Sequence, residues 1–436
     1  MKILGFGKKE FPGATARIDF PIAHSVGKGK KLFEEGYKYN VVVFRCTDSI
    51  IKAVKGIDVR IKEGDKYIEP DNSNKGAQAV YKILRKPNPK QYKGAFLTEA
   101  FINWLILGEM FIVTAEDRDQ TPQELWNLDP LEMHVKPGKG LPRAYEQKVN
   151  GQTVRWDVDQ LSGDSQVFFW KGHNPTDKWR GMSPLHAAAL AADTNNAGLR
   201  WNFSMLKKGG RLTGLIKYKA GNPDEQAVNR LRKWFKNTIQ GEYNAGEIGV
   251  LTGEAEYQEL GKNPKEMDYI KTVDKTTAFI AMAYGVPLPL VLNEAATFNN
   301  YREAKELFYT DTVMPLYQEF LESFGGWLLP KFGLENAVLE FDEDSIPALE
   351  SLRERRNERV RGLVKDGIIS PDEGRTELGY SPRGGFADEL YMPASSIPMS
   401  DSGATDDPAK LKALLIEQGY EEKDIEAALN GELRTH

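Results

Sequence analysis

A chain of 436 residues, 40% of them hydrophobic and 28% charged, is too long for one compact core and has the composition of an ordinary globular protein of roughly two to four domains. A single cysteine, Cys46, excludes an intrachain disulfide framework and a cysteine-based zinc site, and it fits a reducing compartment. The formal net charge of −5 leaves no general basic excess of the kind that gripping duplex DNA by phosphate neutralisation requires.

Charge is uneven along the chain. Residues 1–40 hold 8 basic and 4 acidic side chains, whereas residues 386–436 hold 4 basic and 11 acidic ones. The opening "MKILGFGKKEFPG" is basic but has no long apolar core, so it does not read as a signal peptide. Residues 1–39 are expected to form a flexible arm. From Asn40 a helix is expected through "VVVFRCTDSIIKAVKG", with Cys46 as a buried small hydrophobe. A hairpin around Glu63-Gly64-Asp65 follows, then a helix stopped by Pro87 and Pro89. The apolar run "FINWLILGEMFIVTA" is broken by Asn103 and Glu109 and falls short of the ~20 residues that span a bilayer. It reads as a helix giving way to a strand after Gly108. Four or five short strands come next, with Asn150-Gly151 as the strongest hairpin turn. Residues 40–180 therefore read as an α+β domain with a mainly antiparallel sheet, in a soluble, intracellular protein.

An alanine-rich helix is expected from Ser183 to Gly209-Gly210, its small residues allowing close helix approach. Residues 211–262 read as a small strand–helix–strand module between that helix and a second one, Met267 to Tyr284. The second helix is amphipathic through Ile270, Val273, Thr277, Ile280 and Tyr284. Gly285 is placed to end it. Pro287 and Pro289 prevent its resumption, giving a non-helical break over 285–289 and then a polar loop to Asn300. A long helix is expected from near Tyr301, kinked at Pro315. The strand "AVLEFDED" should rejoin the α+β domain. After it come a charged helix, a short helix capped by Ser370 with Glu373 three residues on, and an acidic tail with a helical hairpin.

Tests for chemistry yield little. Ser183 in Gly181-Met182-Ser183-Pro184-Leu185 lies between strand and helix, but a nucleophile elbow needs glycine where Leu185 stands. Ser183 reads instead as an N-cap followed by proline at the first helical position. The five histidines include no pair at helical ligand spacing, so no metal site is expected. Asp342, Glu343 and Asp344 read as a solvated turn after a strand. "KPGKGLPR" lacks the phosphate-loop pattern and reads as a hairpin turn, so neither ATP hydrolysis nor any cofactor is expected. The aromatic residues of 298–327 have the spacing of a helix core face rather than of a base-stacking platform.

The helix, the break Gly285-Val286-Pro287-Leu288-Pro289, the polar loop and "TFNNYREAKELFYTDTVMPLYQEFLESFGGWLLP" together resemble the portal, or head–tail connector, proteins of tailed bacteriophages. "LRKPNP", "ELWNLDPLEMHV", "WRGMSPL", "NFSMLKKGGRLTGLIKY" and "LVKDGIISPDEGRTELGYSPRGG" extend the resemblance, in order, over about residues 40–395. It implies a portal fold: an α+β wing (40–182 and 300–345), stem helices (183–210 and 263–285), a small α/β clip (211–262), a tunnel loop (286–299) and a helical crown (346–395), with 396–436 an acidic tail. It further implies a closed ring, normally of twelve subunits, at one capsid vertex, assembled in the host bacterial cytoplasm. Double-stranded DNA would be packaged and ejected through the ring irrespective of sequence. Implied partners are the terminase large subunit, head-completion or adaptor proteins, and the major capsid and scaffold proteins, whose procapsid assembly the ring would nucleate. Val291, Leu292, Asn293, Glu294, Thr297, Phe298 and Asn299 would line the channel, and Gly285, Pro287, Pro289 and Pro315 would bound the loop and its helices. Two other readings stand beside this one. One is a serine hydrolase using Ser183; the other is a scaffold or adaptor protein acting through its acidic C-terminal hairpin.

Overall fold

The computed structural model describes residues 29–64, 66–70, 73–119, 121–207, 214–218, 255–259, 269–292 and 298–390, with residues 226, 229, 230, 233 and 416 singly. The expectations for residues 1–28 lie outside these residues; the helix of the 211–262 module is described only at 226, 229, 230 and 233, and the acidic tail beyond 390 only at 416, each helical. The chain divides into two units, 1–348 and 349–436.

In the first unit, residues 29–38, expected within the arm, are helical: one α turn leads into a π-helical segment Leu32–Lys38. Leu32 is buried, and Gly36 sits so close to Leu185 that a Cβ there would lie 2.7 Å from its Cδ2. Apolar packing thus orders what lysine and glycine content alone marks as an arm. Asn40 then caps the helix Val41–Lys55, its Oδ1 accepting from the N–H groups of Val42 and Val43. Cys46 is fully buried on that helix, and burial pushes its thiol up to about 12. This suits an inert core residue.

β1 (Val59–Glu63) and β2 (Lys66–Ile68) form the expected hairpin. Its other edge pairs antiparallel with β11 (Ala337–Phe341), in the register Ile61↔Leu339. The late strand therefore does rejoin the early domain. The helix Lys93–Leu107 ends at Gly108, whose φ of +82° is the left-handed conformation glycine adopts without strain.

β3 (Glu109–Glu116) is central in a sheet of order β4-β3-β8, where β4 is Pro122–Leu128 and β8 is Val167–Lys171. β5 (Met133–Lys136), β6 (Ala144–Val149) and β7 (Gln152–Asp157) form a separate meander. Where one mainly antiparallel sheet was expected, there are three small ones. The Asp129-Pro130 turn, closed by Glu132 N–H on Asp129 O at 3.0 Å, separates β4 from β5. The β6–β7 turn is the expected Asn150-Gly151, with φ of +49° and +81°. Phe111, Met133, Val135, Tyr145, Val158 and Val167 pack the two sheets on one core.

The long C-terminal helix of this unit supplies a second core. Tyr317, Phe320 and Phe324 are buried with Phe101, Phe168 and Trp170, Phe320 lying 5.2 Å from Phe101 and 5.5 Å from Trp170 between ring centroids. The helix differs from expectation in two ways. It begins at Phe298, and the strain at Pro315 is taken up by a π-helical segment Phe308–Val313 between the helices Phe298–Leu307 and Met314–Leu328. In the 211–262 stretch, β9 (Gly214–Tyr218) and β10 (Ala255–Glu259) pair antiparallel.

The second unit holds the charged helix Glu350–Lys365 and the short helix Pro371–Glu377. Ser370 and Glu373 form the capping box read from the sequence. Asp372 accepts the N–H groups of Arg383 and Gly384, which holds its carboxyl below the usual range and folds the following loop back on the helix. Among the described residues no helix is long and apolar enough to cross a membrane, and no three His, Cys, Asp or Glu side chains gather as a metal site would need.

Candidate functional site

The candidate site is built on two helices, Pro184–Lys207 and Tyr269–Ala283. Gly198 lets them approach: a Cβ there would lie 3.1 Å from Val273 Cγ2. Buried amides then bind them to the N-terminal helix. Asn40 Nδ2 donates to Asn196 Oδ1 at 3.0 Å and to Asn195 Oδ1 at 3.3 Å. Asn195 Nδ2 donates to Thr276 Oγ1 at 3.1 Å, and Asn196 Nδ2 to Glu35 O at 2.9 Å. All three asparagines are at most 5% exposed. A buried network this complete fixes one relative placement of its helices. Asn40→Ala removes a helix cap and strands two buried carbonyl oxygens, so a loss of about 2–4 kcal/mol is expected in urea unfolding.

The first helix starts from a tight backbone crossing. Gly172 N–H donates to Gly108 O at 2.8 Å, and a Cβ on Gly181 would lie only 1.8 Å from that same oxygen. Beside the crossing Arg180 pairs with Glu109, which is 3% exposed and also accepts the Gly181 N–H. Burial pushes the Glu109 carboxyl up to about 7, against the Arg180 guanidinium and the Gly181 N–H, which pull it down.

Ser183 follows directly. Its Oγ accepts His186 N–H at 3.2 Å, as an N-cap does, and donates to Ile106 O at 2.8 Å. His186 Nδ1 accepts the Ser183 N–H at 3.0 Å, and burial lowers the imidazole to about 4. Ser183 is 2% exposed, and its Oγ lies within hydrogen-bond reach of both Ile106 O, at 2.8 Å, and His186 Nδ1, at 3.0 Å. The arrangement caps a helix, and burial keeps the hydroxyl from the surface where a substrate would meet it.

The second helix ends in a Schellman motif. Val286 N–H bonds Ala281 O at 2.9 Å and Gly285 N–H bonds Met282 O at 3.1 Å, with Gly285 at φ +66°. Tyr284 is buried, donates to Leu105 O at 3.2 Å, and has its phenol pushed up by burial. The expected non-helical break is shorter than the sequence implies: a one-turn helix, Leu288–Val291, starts after Pro287, with Pro289 in its first turn, where a missing N–H costs nothing. Arg45 donates to Leu290 O through Nε at 3.2 Å and Nη2 at 3.0 Å, fixing the end of that turn.

Of the residues predicted to line a channel, Val291 and Leu292 are half-buried at the end of this turn, Phe298 opens the next helix, and Asn299 is exposed on it. Asn293, Glu294 and Thr297 lie outside the described residues. Gly285, Pro287 and Pro289 bound the stretch on one side. Pro315 lies in the first turn of the helix beyond the π segment. Arg45, Asn195 and Asn196, which anchor these elements, were not singled out from the sequence, and Asn40 was read only as the start of a helix. Adjacent Asn195-Asn196 in an alanine-rich helix was the available sign, because amides on a helix face that must be buried need partners.

Helices bound by buried amides, carrying a small two-stranded module between them in sequence and an anchored loop before a long broken helix, define the portal fold. The chain belongs to the phage portal protein family, whose model matches residues 41–379. It is 27% identical over 191 residues to the portal protein of Escherichia phage T5, covering 42% of this chain and 43% of that one. It is 29% identical over 367 residues to an uncharacterized protein of Rickettsia felis, covering 83% and 92% of the two chains. Among solved structures it is similar to a subunit in the neck of an empty GTA particle computed with C6 symmetry, and to one in the neck of the native particle computed with C12 symmetry. Both are 28% identical, cover 81% of this chain and 94% of their own, and superpose with TM-scores of 0.62 and 0.61.

Proposed function

We propose that this portal protein assembles into a closed ring, normally of twelve subunits, that conducts double-stranded DNA at one vertex of a virion. The observation that carries the reading is the outer surface of the helix pair. Leu190, Leu199, Phe203, Phe279 and Met282 are 58%, 40%, 67%, 53% and 72% exposed. Large apolar side chains standing outward on helices that are otherwise held by a buried network call for a covering surface. A ring of identical chains supplies it through a heterologous contact whose rotation closes. The C6 and C12 symmetries of the similar neck subunits support this.

In this reading 40–182 and 300–345 form the wing, the two long helices the stem, 211–262 the clip, and 346–395 the crown. The clip meets the terminase motor and later the head-completion proteins. Scaffold and major capsid proteins surround the ring, whose assembly in the host cytoplasm starts the procapsid. The segment 286–299 faces the duplex. Glu294 is its only charged residue, so it makes no phosphate contacts that would release counterions and hold DNA in place. The chain itself needs no catalysis.

The test is native mass with negative-stain imaging. The parent protein should form rings with a central hole wide enough for duplex DNA. The Phe279→Asp/Met282→Asp double variant should form none, or about 10-fold fewer, because charges at an apolar contact are left unpaired. Substitution of Asn293, Thr297 and Asn299 by lysine should leave rings intact while impairing DNA packaging and retention. Unimpaired packaging in that variant would remove the channel role of 286–299, and a chain that never forms rings would remove the whole reading.

A further inference from the structure

The helix entering from Phe298 does not continue in register into the helix that carries the aromatic core. Met314 N–H reaches back to Tyr309 O, five residues away, where an α-helix reaches four. The segment Phe308–Val313 thus holds one residue more than an α-helix of the same rise. Pro315 explains its place: in α geometry the proline ring would press on Asp311 O, and the wider turn relieves that clash. Burial records the same insertion. Ala304 and Phe308 are buried four apart, and Val313 and Tyr317 are buried four apart, but Phe308 and Val313 are five apart. The extra residue turns the 298–307 helix by about 100° from the face that a continuous helix would present.

Phe308 and Val313 bury this wide turn, and one of its side chains hydrogen-bonds to another element. Thr312 Oγ1 donates to Gly285 O at 2.6 Å. Gly285 is the left-handed residue that closes the 269–283 helix, and a Cβ on it would lie 2.7 Å from Thr312 Oγ1. The bond therefore ties the wide turn to the first of the two roots of the 286–299 segment. Arg45, on Leu290 O, holds the same root five residues further on.

We propose that Thr312 is a positioning residue of the channel segment: it couples the wide turn to the Gly285 turn, so that the roots at 285–292 and 298–307 are held as one body. The role of that segment as a channel wall rests on the reading above, but the coupling does not.

The experiment is amide hydrogen exchange on the assembled full-length protein, comparing the parent with Thr312→Val and Thr312→Ser. Thr312 is partly exposed, so both variants should fold, with unchanged exchange in the 320–328 helix as the internal check. In Thr312→Val, amides of 285–292 and of 298–314 should both exchange about 2- to 12-fold faster, the equivalent of one lost hydrogen bond. Thr312→Ser, which keeps the hydroxyl, should match the parent. Unchanged exchange in Thr312→Val, acceleration at one root only, or a serine variant as fast as the valine one would overturn the proposal. DNA packaging is not read in this experiment, so the channel assignment stands or falls separately on the lysine substitutions in 286–299.

Discussion

Replacing Arg180 with methionine is expected to cost about 1–1.5 kcal/mol more stability at pH 8 than at pH 5, because only at the higher pH does the parent hold an ionised Glu109 against that guanidinium. The effect should depend on pH, with a definite sign. The Glu109 carboxyl is raised in the folded protein from 4.5 to about 7, so the folded state holds its proton more tightly than the unfolded chain. Its contribution to stability is fully present below about pH 4.5 and is lost as pH rises through about 7. Removing Arg180 raises the carboxyl further, so the gap between variant and parent should be small at pH 5 and widen toward pH 8. Urea unfolding at the two pH values reads this directly. Adding Glu109→Gln to Arg180→Met should abolish this pH dependence, since a buried amide has no proton to take up or lose. A pH-independent loss would mean that Arg180 acts through packing, and through its bond to Met133 O, rather than through Glu109.

Phe320→Ala should cost more, roughly 3–5 kcal/mol, by a different route. Phe320 is 2% exposed and meets Phe101, Trp170, Phe324 and Tyr317, stacking on the last two at 12° and 10° between ring planes. Truncation leaves a cavity between a helix and a sheet whose other members are also rigid rings, so the site collapses poorly. Phe203→Ala provides the contrast. At 67% exposure, its loss should change the stability of the chain by no more than about 0.5 kcal/mol while weakening ring formation. Thermal unfolding and native mass, measured on both variants, separate the residue that holds the fold from the residue offered to a neighbour.

Much of the local structure was legible because its causes are local. Gly108 ends a helix, Asn150-Gly151 makes a hairpin and Ser370 with Glu373 makes a capping box, each through backbone geometry that one or two residues decide. The pairing of the "AVLEFDED" strand was legible in kind, but not its partner β1, because strand edges carry no address in sequence. The wide turn at 308–313 was missed because Pro315 announces a disturbance without saying how the chain absorbs it; the answer lies in the step of five between Phe308 and Val313. At the candidate site, Gly285, Pro287 and Pro289 were readable as punctuation. Arg45 and Thr312 were not, since each donates to a backbone carbonyl, an acceptor that every residue offers alike. Glu109 was visible only as an interruption in an apolar run. That it marked a buried ion pair depended on Arg180, 71 residues later.

The β1–β11 pairing also sets a clock on biosynthesis. Lys62 and Glu340, joined across those strands, lie 278 residues apart, so at about 5–20 residues per second β1 waits roughly 15–55 s on the ribosome for its partner. Until then one edge of that hairpin is open, and the aromatic core lacks Tyr317, Phe320 and Phe324. A chain that stops before Met314 therefore lacks both the third strand of that sheet and the helix that completes the aromatic core. Closure of that sheet is thus a late event in synthesis, set by the order in which its strands leave the ribosome.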